Sequence, residues 1–293
     1  MPDDYQLVTL ANGQCTLFSA RYGEKLHPGL GPRAEAELLY VSQLQIRERI
    51  AKISGEFVIW DVGLGAAANA IAVLRATTDI PGRLRLVSFD NTAEPLEFAL
   101  KHSAALGYVS GYENQLRELL LEKRTTFTNG SLHVDWLFSL GDFPAWLSQG
   151  GSAVPLPHAI FYDAFSPAKN PAMWTLPVFQ NLYRALDPQR PCALTTYSRS
   201  TLLRATLLLA GFFVGVGHAT GMKEETTTAA NTRGLIREPL DHRWLTRAQR
   251  SHSAEPLCQP IYSRAPLTPA SMSRLQECLK KNCSRSAAGD FGV

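Results

Sequence analysis

Phe57-Val58-Ile59-Trp60-Asp61-Val62-Gly63-Leu64-Gly65 is the stretch on which the fold turns. An apolar run ends at an acid and two closely spaced glycines, and Asn69-Ala70-Ile71-Ala72-Val73-Leu74 continues with helical composition. Strand, glycine turn and helix follow in that order. The glycines let the backbone turn sharply and approach a ligand, and the helix N-terminus offers free N–H groups to an anion. A full dinucleotide fingerprint needs a further glycine near Asn69, and it is absent. Taken alone, the turn suits a ligand and a bare strand-to-helix joint equally.

Toward the C-terminus the next strand candidate, Leu84 to Phe89, runs into Asp90, 25 residues beyond Gly65. That is near the offset at which an acid meets a ribose hydroxyl, so a nucleoside-bearing cofactor is expected, with an exposed strand-end acid as the alternative. Helical stretches over 93–107 and 115–123 precede the strand Leu132 to Phe138, which delivers Gly141-Asp142-Phe143-Pro144. A carboxylate there can accept from an adenine amine while Phe143 packs on the ring. Ile160-Phe161-Tyr162-Asp163 is a fourth strand ending in an acid, followed by Ala164-Phe165-Ser166-Pro167-Ala168-Lys169-Asn170-Pro171-Ala172-Met173-Trp174. In an open parallel sheet ligands bind beyond the carboxyl ends of strands, which makes Asp163 a candidate actor. An Asx-type turn cap is the other reading. A fifth strand at 191–197, a helix over Thr201–Ala210 stopped by Gly211, and a hairpin pair at 212–216 and 226–230 complete the pattern. Strands alternating with helices predict an α/β, doubly wound, Rossmann-like and mostly parallel seven-stranded sheet whose last strand is antiparallel.

Toward the N-terminus, Gln6–Leu10 and Cys15–Ser19 flank Ala11-Asn12-Gly13-Gln14, a hairpin signature. The link His27-Pro28-Gly29-Leu30-Gly31-Pro32 leads to one expected helix from Arg33 to Ile53. Beyond Asn231 the order weakens, but Thr268-Pro269 is a helix start, and Met272, Leu275, Cys278 and Leu279 form a stripe that carries a helix to about Asn282. The last ten or so residues read as disordered. Three regions are expected: an N-terminal extension (1–53), a cofactor-binding domain (54–235) and a C-terminal extension (236–293).

With 293 residues, 45% of them hydrophobic, the chain can bury a full core. It has no apolar run of membrane-spanning length, and its first residues lack a signal-peptide profile, so a cytoplasmic protein without membrane contact is the default. Five scattered cysteines without a CxxC pair suggest neither a disulfide framework nor a metal site. Net charge is +3, and from Ala219 onward eleven Lys and Arg face seven Asp and Glu, a balance of +4. A phosphate-bearing partner fits that segment, as does an ordinary solvated face.

Taken together, the glycine turn, the acid at Asp90, Gly141-Asp142 and the Asp163 loop resemble a class I S-adenosylmethionine-dependent methyltransferase. Phe161 to Thr175, with Pro-Ala-Lys-Asn-Pro and Met-Trp, is similar to the methyltransferase domain of the MnmC family, the tRNA 5-methylaminomethyl-2-thiouridine biosynthesis enzymes. The resemblance implies that Asp61, Gly63, Gly65 and Asn69 serve the methionine end of S-adenosylmethionine, Asp90 the ribose, and Asp142 with Phe143 the adenine. It implies Asp163 at the transfer site, with Phe165, Lys169 and Asn170 on the substrate side. The implied reaction is N-methylation of an aminomethyl group on a wobble uridine in tRNA, without a metal. The chain shows no second GxGxxG, so the stand-alone methyltransferase form is expected, with a separate flavin-dependent enzyme supplying the amine. The chain departs from the family pattern at Ala67, where glycine is usual, and at Ala164, Ser166 and Ala172. Methylation of a small-molecule or protein amine is an alternative, and a non-catalytic RNA-binding protein on the same fold is another.

Overall fold

The computed structural model describes residues 4–151, 153–220 and 224–284. The tail expected to be disordered lies outside them from residue 285 onward. Twelve strands are present among the described residues: β1 Tyr5–Thr9, β2 Cys15–Ser19, β3 Glu24–Lys25, β4 Glu56–Val62, β5 Gly82–Asp90, β6 Arg124–Asn129, β7 Leu132–Leu140, β8 Ala159–Tyr162, β9 Ala193–Thr196, β10 Phe213–Gly217, β11 Thr226–Ala230 and β12 Glu238–Pro239. β1 to β3 form a small antiparallel sheet; the others form one sheet in the order β12-β10-β11-β9-β8-β4-β5-β7-β6.

β7, β5, β4, β8 and β9 are mutually parallel, and β11 enters antiparallel between β9 and β10. All seven expected strands are there, including the antiparallel last one. Two edge strands were not expected. β6 is Thr-rich and pairs antiparallel with β7, and β12 has two residues, too few to leave a pattern.

β4 explains why the sheet needs cover on both sides. Phe57 and Ile59 point into one apolar core while Val58, Trp60 and Val62 point into the other, and all five are buried. A parallel strand buried on two faces reads as an unbroken apolar run, and this one does. The first core is closed by the helices Ala68–Ala76, Glu94–Lys101 and Glu113–Glu122; the second by Leu176–Ala185, Thr201–Ala210 and Pro269–Cys283.

Several helices differ from expectation. The single helix expected over 33–53 is three pieces: Pro32–Ala36, a π-helical turn Glu37–Ser42, and Ile46–Lys52. Gln45 breaks it in the left-handed region at φ 51°. The wide π turn, closed by Gln43 N–H to the Leu38 carbonyl at 3.2 Å, lets three consecutive residues, Leu39, Tyr40 and Val41, be buried together. The stretch 93–107 likewise splits at His102 into Glu94–Lys101 and Ser103–Leu106. Helices Phe143–Ser148, Leu176–Ala185 and His242–Gln249 escaped sequence reading; the first two carry proline in their opening turn, where it fits because that N–H has no helical partner. The C-terminal helix matches: Thr268 Oγ1 accepts from Ser271 N–H at 3.2 Å. The segment beyond Ile236 packs on the main sheet, with Leu240, Trp244, Leu275 and Leu279 in the second core.

Candidate active site

The carboxyl ends of β4, β5, β7 and β8 deliver Gly63, Asp90, Asp142 and Asp163 to one edge of the sheet. A cavity of about 480 Å³ opens there. Gly63, Gly65, Asp90, Asp142, Phe143, Asp163, Phe165 and Asn170 all line it. Asp61, Asn69 and Lys169 do not.

The glycine turn and the Asp163 loop touch. Gly63 has φ 96°, and a Cβ placed on it would lie 2.8 Å from the Asp163 carbonyl oxygen, so the close approach demands glycine. Asn69, in the first turn of the helix Ala68–Ala76, donates its Nδ2–H to Asp163 Oδ2 at 2.8 Å. Asn69 therefore acts from behind the cavity wall. Its Oδ1 is buried and has no partner among the described residues.

Asp90 takes the Gly65 N–H on Oδ2 at 2.9 Å, which ties β5 to the glycine turn. Burial raises its pKa, against hydrogen bonds from the Gly65, Thr92 and Asn91 backbone that lower it. Asp61 is fully buried; Ser88 Oγ donates to its Oδ2 at 2.9 Å, and Trp136 Nε1–H donates to Ser88 Oγ at 2.9 Å. Desolvation pushes the Asp61 pKa up to about 8, the Ser88 hydrogen bond opposing and the Asp163 and Asp90 carboxylates adding to it.

Asp142 is exposed and caps the helix Phe143–Ser148 through Oδ1, which accepts from Ala145 N–H at 2.8 Å. Phe143 is only 4% exposed, its ring against Phe89 at 4.9 Å and Trp146 at 5.7 Å. Phe165 is stacked on Tyr22 at 4.1 Å between centroids. Lys169 is exposed, its Nζ near Gly23. The Asp163 loop is pinned by Trp174 Nε1–H to the Phe165 carbonyl at 2.7 Å, by Tyr197 Oη–H to the Ala164 carbonyl at 3.0 Å, and by Ser166 N–H to Glu24 Oε2 at 3.1 Å.

Sequence reading missed the N-terminal contribution. Tyr22, Glu24, Leu26, His27 and Glu35 all line the cavity. His27 Nε2 lies 3.7 Å from Asp163 Oδ2 and its Nδ1 lies 3.7 Å from Glu35 Oε2. The Tyr40 hydroxyl, brought inward by the π turn, has its pKa pushed well above the ordinary range by burial first and by the Asp163 carboxylate next. The sequence signal was a histidine in a Pro/Gly link with a glutamate eight residues on, which has no distinctive spacing. Among the described residues no group of three or more His, Cys, Asp or Glu could hold a metal ion, and no helix is long and apolar enough to cross a membrane.

This strand order, with an acid beyond each of three parallel strands and a glycine turn on the same edge, is that of the Rossmann-like methyltransferase fold. Residues 111–232 match the family described as S-adenosyl-L-methionine-dependent methyltransferase. Over 233 residues the chain is 30% identical to the tRNA 5-methylaminomethyl-2-thiouridine biosynthesis bifunctional protein MnmC of Methylibium petroleiphilum, covering 76% of this chain and 34% of that protein. The MnmC of Burkholderia vietnamiensis is 30% identical over 224 residues, 72% of this chain and 33% of its own. The chain thus spans about a third of the length of these curated relatives. Among solved structures, MNMC2 from Aquifex aeolicus superposes with a TM-score of 0.66 at 23% identity, covering 94% of this chain and 85% of that one, a likeness of fold. The chain carries a methyltransferase domain similar to that of the MnmC proteins, with S-adenosylmethionine as its cofactor.

Proposed function

We propose that this chain N-methylates the aminomethyl group of a modified wobble uridine in tRNA. The observation that carries the reading is Asp163: its carboxylate stands at the end of β8, held by Asn69, in the same cavity as Asp90. The MnmC relatives supply the substrate. The residues present suit the cofactor. Asp90 is held by two backbone N–H groups where it can accept from vicinal hydroxyls, and Gly63 keeps the turn beside it clear where a Cβ would close on Asp163. Asp61 serves this end indirectly, supporting the turn from β4. Gly63 and Gly65 shape the turn, and Asp142 and Phe143 form the far wall for the adenine.

Bound there, S-adenosylmethionine supplies an electrophilic methyl group. An alkylamine near neutral pH is mostly protonated, and only its neutral lone pair attacks. Asp163 accepts an N–H hydrogen bond from the amine, takes up its surplus proton and aims the lone pair. The cavity holds the two reactants in contact. Phe165 and Asn170 face the acceptor, Phe165 offering a ring to a base drawn out of its stack, with Tyr22 already on its other side. Lys169, exposed on the same loop, meets backbone phosphate. A tRNA partner puts this work in the cytoplasm, on an aminomethyl group supplied by a flavin-dependent step.

Nucleoside mass spectrometry of tRNA that lacks the methyl group, incubated with the protein and S-adenosylmethionine, tests the reading. Asp163→Ala should lower turnover by about 100-fold or more while cofactor binding persists. Full turnover in that variant would remove Asp163 from catalysis. Methylation of a free amine with no salt-sensitive tRNA binding would instead favour a small-molecule substrate.

A further inference from the structure

Asp163 has a second neighbour that the general reaction does not call for. Glu35 Oε1 accepts the Gly29 N–H at 2.5 Å and the Leu30 N–H at 2.9 Å, which fixes that carboxylate and turns Oε2 toward His27. His27 is held in turn. Its backbone sits at φ 50°, an uncommon region for a residue with a side chain, and the side chain is only 11% exposed. Its Nδ1 faces Glu35 and its Nε2 faces Asp163 Oδ2, the oxygen that also takes Asn69 Nδ2–H. A carboxylate on one ring nitrogen sets the direction of the other.

We propose that His27 is a positioning residue: clamped by Glu35, it holds Asp163 rotated so that Oδ2 is occupied by Asn69 and the imidazole, and Oδ1 is turned to the acceptor amine. The inference rests on the methyltransferase reading for its purpose, but the clamp itself does not. The groups facing His27 are Glu35 from the helix Pro32–Ala36, Asp163 after β8 and Asp61 from β4. Glu24 and Lys25 of its own segment, and Asp90, line the same cavity. Burial lowers the imidazole pKa, yet Glu35, Asp163 and Asp61 outweigh it and the net direction is upward. Strained backbone is retained where surrounding contacts over-determine it, and here both ring nitrogens supply them.

The full chain labelled with ¹⁵N-histidine gives a direct test, the His27 signals being assigned by their loss in His27→Gln. The imidazole should titrate above the ordinary histidine range, and its midpoint should fall in Glu35→Gln and again in Asp163→Asn. In turnover, His27→Gln should lower kcat by about 100-fold with S-adenosylmethionine affinity by calorimetry within about threefold, and Glu35→Gln should lie between it and the wild type. A midpoint unmoved in both carboxamide variants, or wild-type kcat in His27→Gln, overturns the proposal. If the wild type fails to methylate the aminomethyl tRNA, the substrate reading falls, and the titration alone decides the clamp.

Discussion

Asp61 shows how a single side chain sets a pH dependence. Its pKa moves from an ordinary value of 3.8 up to about 8 because burial disfavours the charge. Between those values the folded chain holds a proton that the unfolded chain has released, so stability falls as pH rises through that window. Asp61→Asn can keep the Ser88 hydrogen bond and removes the titration. The thermal midpoint of the variant should therefore gain on the wild type from pH 5 to pH 8, and parallel curves over that range would refute the assignment. Glycine positions make a second contrast. Gly63→Ala would push a Cβ to 2.8 Å from the Asp163 carbonyl oxygen at φ 96°, and should cost at least about 2 kcal/mol and abolish cofactor binding. Ala67, where the MnmC pattern has glycine, already sits in the left-handed region at φ 61°. Replacing it with glycine relieves about 1–2 kcal/mol of backbone strain and loses about half of that to unfolded-chain entropy. Urea midpoints should show a gain of up to about 1 kcal/mol for Ala67→Gly. A loss would mean that the Ala67 methyl, fully buried, contributes more packing than its backbone costs.

At the scale of elements, what was legible follows from how much of its own stability each piece carries. β4 and β8 are buried and announce themselves as apolar runs, β5 and β7 alternate with polar residues such as Arg85 and Asp135, and the acids that follow the strands mark the cavity edge. The helix Thr201–Ala210 has a Ser200 cap accepting from Leu203 N–H at 3.2 Å and a left-handed Gly211 stop, both local signals. The break at Gln45 was not legible, because nothing in Ser42-Gln43-Leu44-Gln45 disfavours a helix. It follows from tertiary demands: Gln43 bonds to Thr195 and to the His218 N–H, far along the chain. The site divides the same way. Its sheet-borne acids follow strand ends and could be found by offset, whereas His27 and Glu35 come from a link whose path depends on the fold already formed.

Across the whole molecule the N-terminal sheet and the C-terminal helix have unlike tasks. The first leans over the cavity, with Leu26 against the glycine turn at Gly65 and Glu24 gripping the Ser166 backbone, so residues before the sheet complete a site that the sheet begins. The second closes the far flank. The two-residue β12 pairs with Gly215 and Val216 of β10, and Leu240 N–H after it reaches the Val214 carbonyl at 2.9 Å. Beyond it, Asn282, 1% exposed in the last turn of its helix, accepts from Val214 N–H at 2.8 Å and donates to the Val214 carbonyl at 2.9 Å. Its amide thus shares the Val214 carbonyl with Leu240 N–H, donates also to the Leu240 carbonyl at 2.8 Å, and satisfies the one Val214 group that β12 does not reach. Asn282→Ala should leave the buried Val214 N–H without a partner and cost about 1–3 kcal/mol, read as a lower urea midpoint, and an unchanged midpoint would refute that role. An asparagine far from the chemistry would then decide how firmly the last helix grips the sheet.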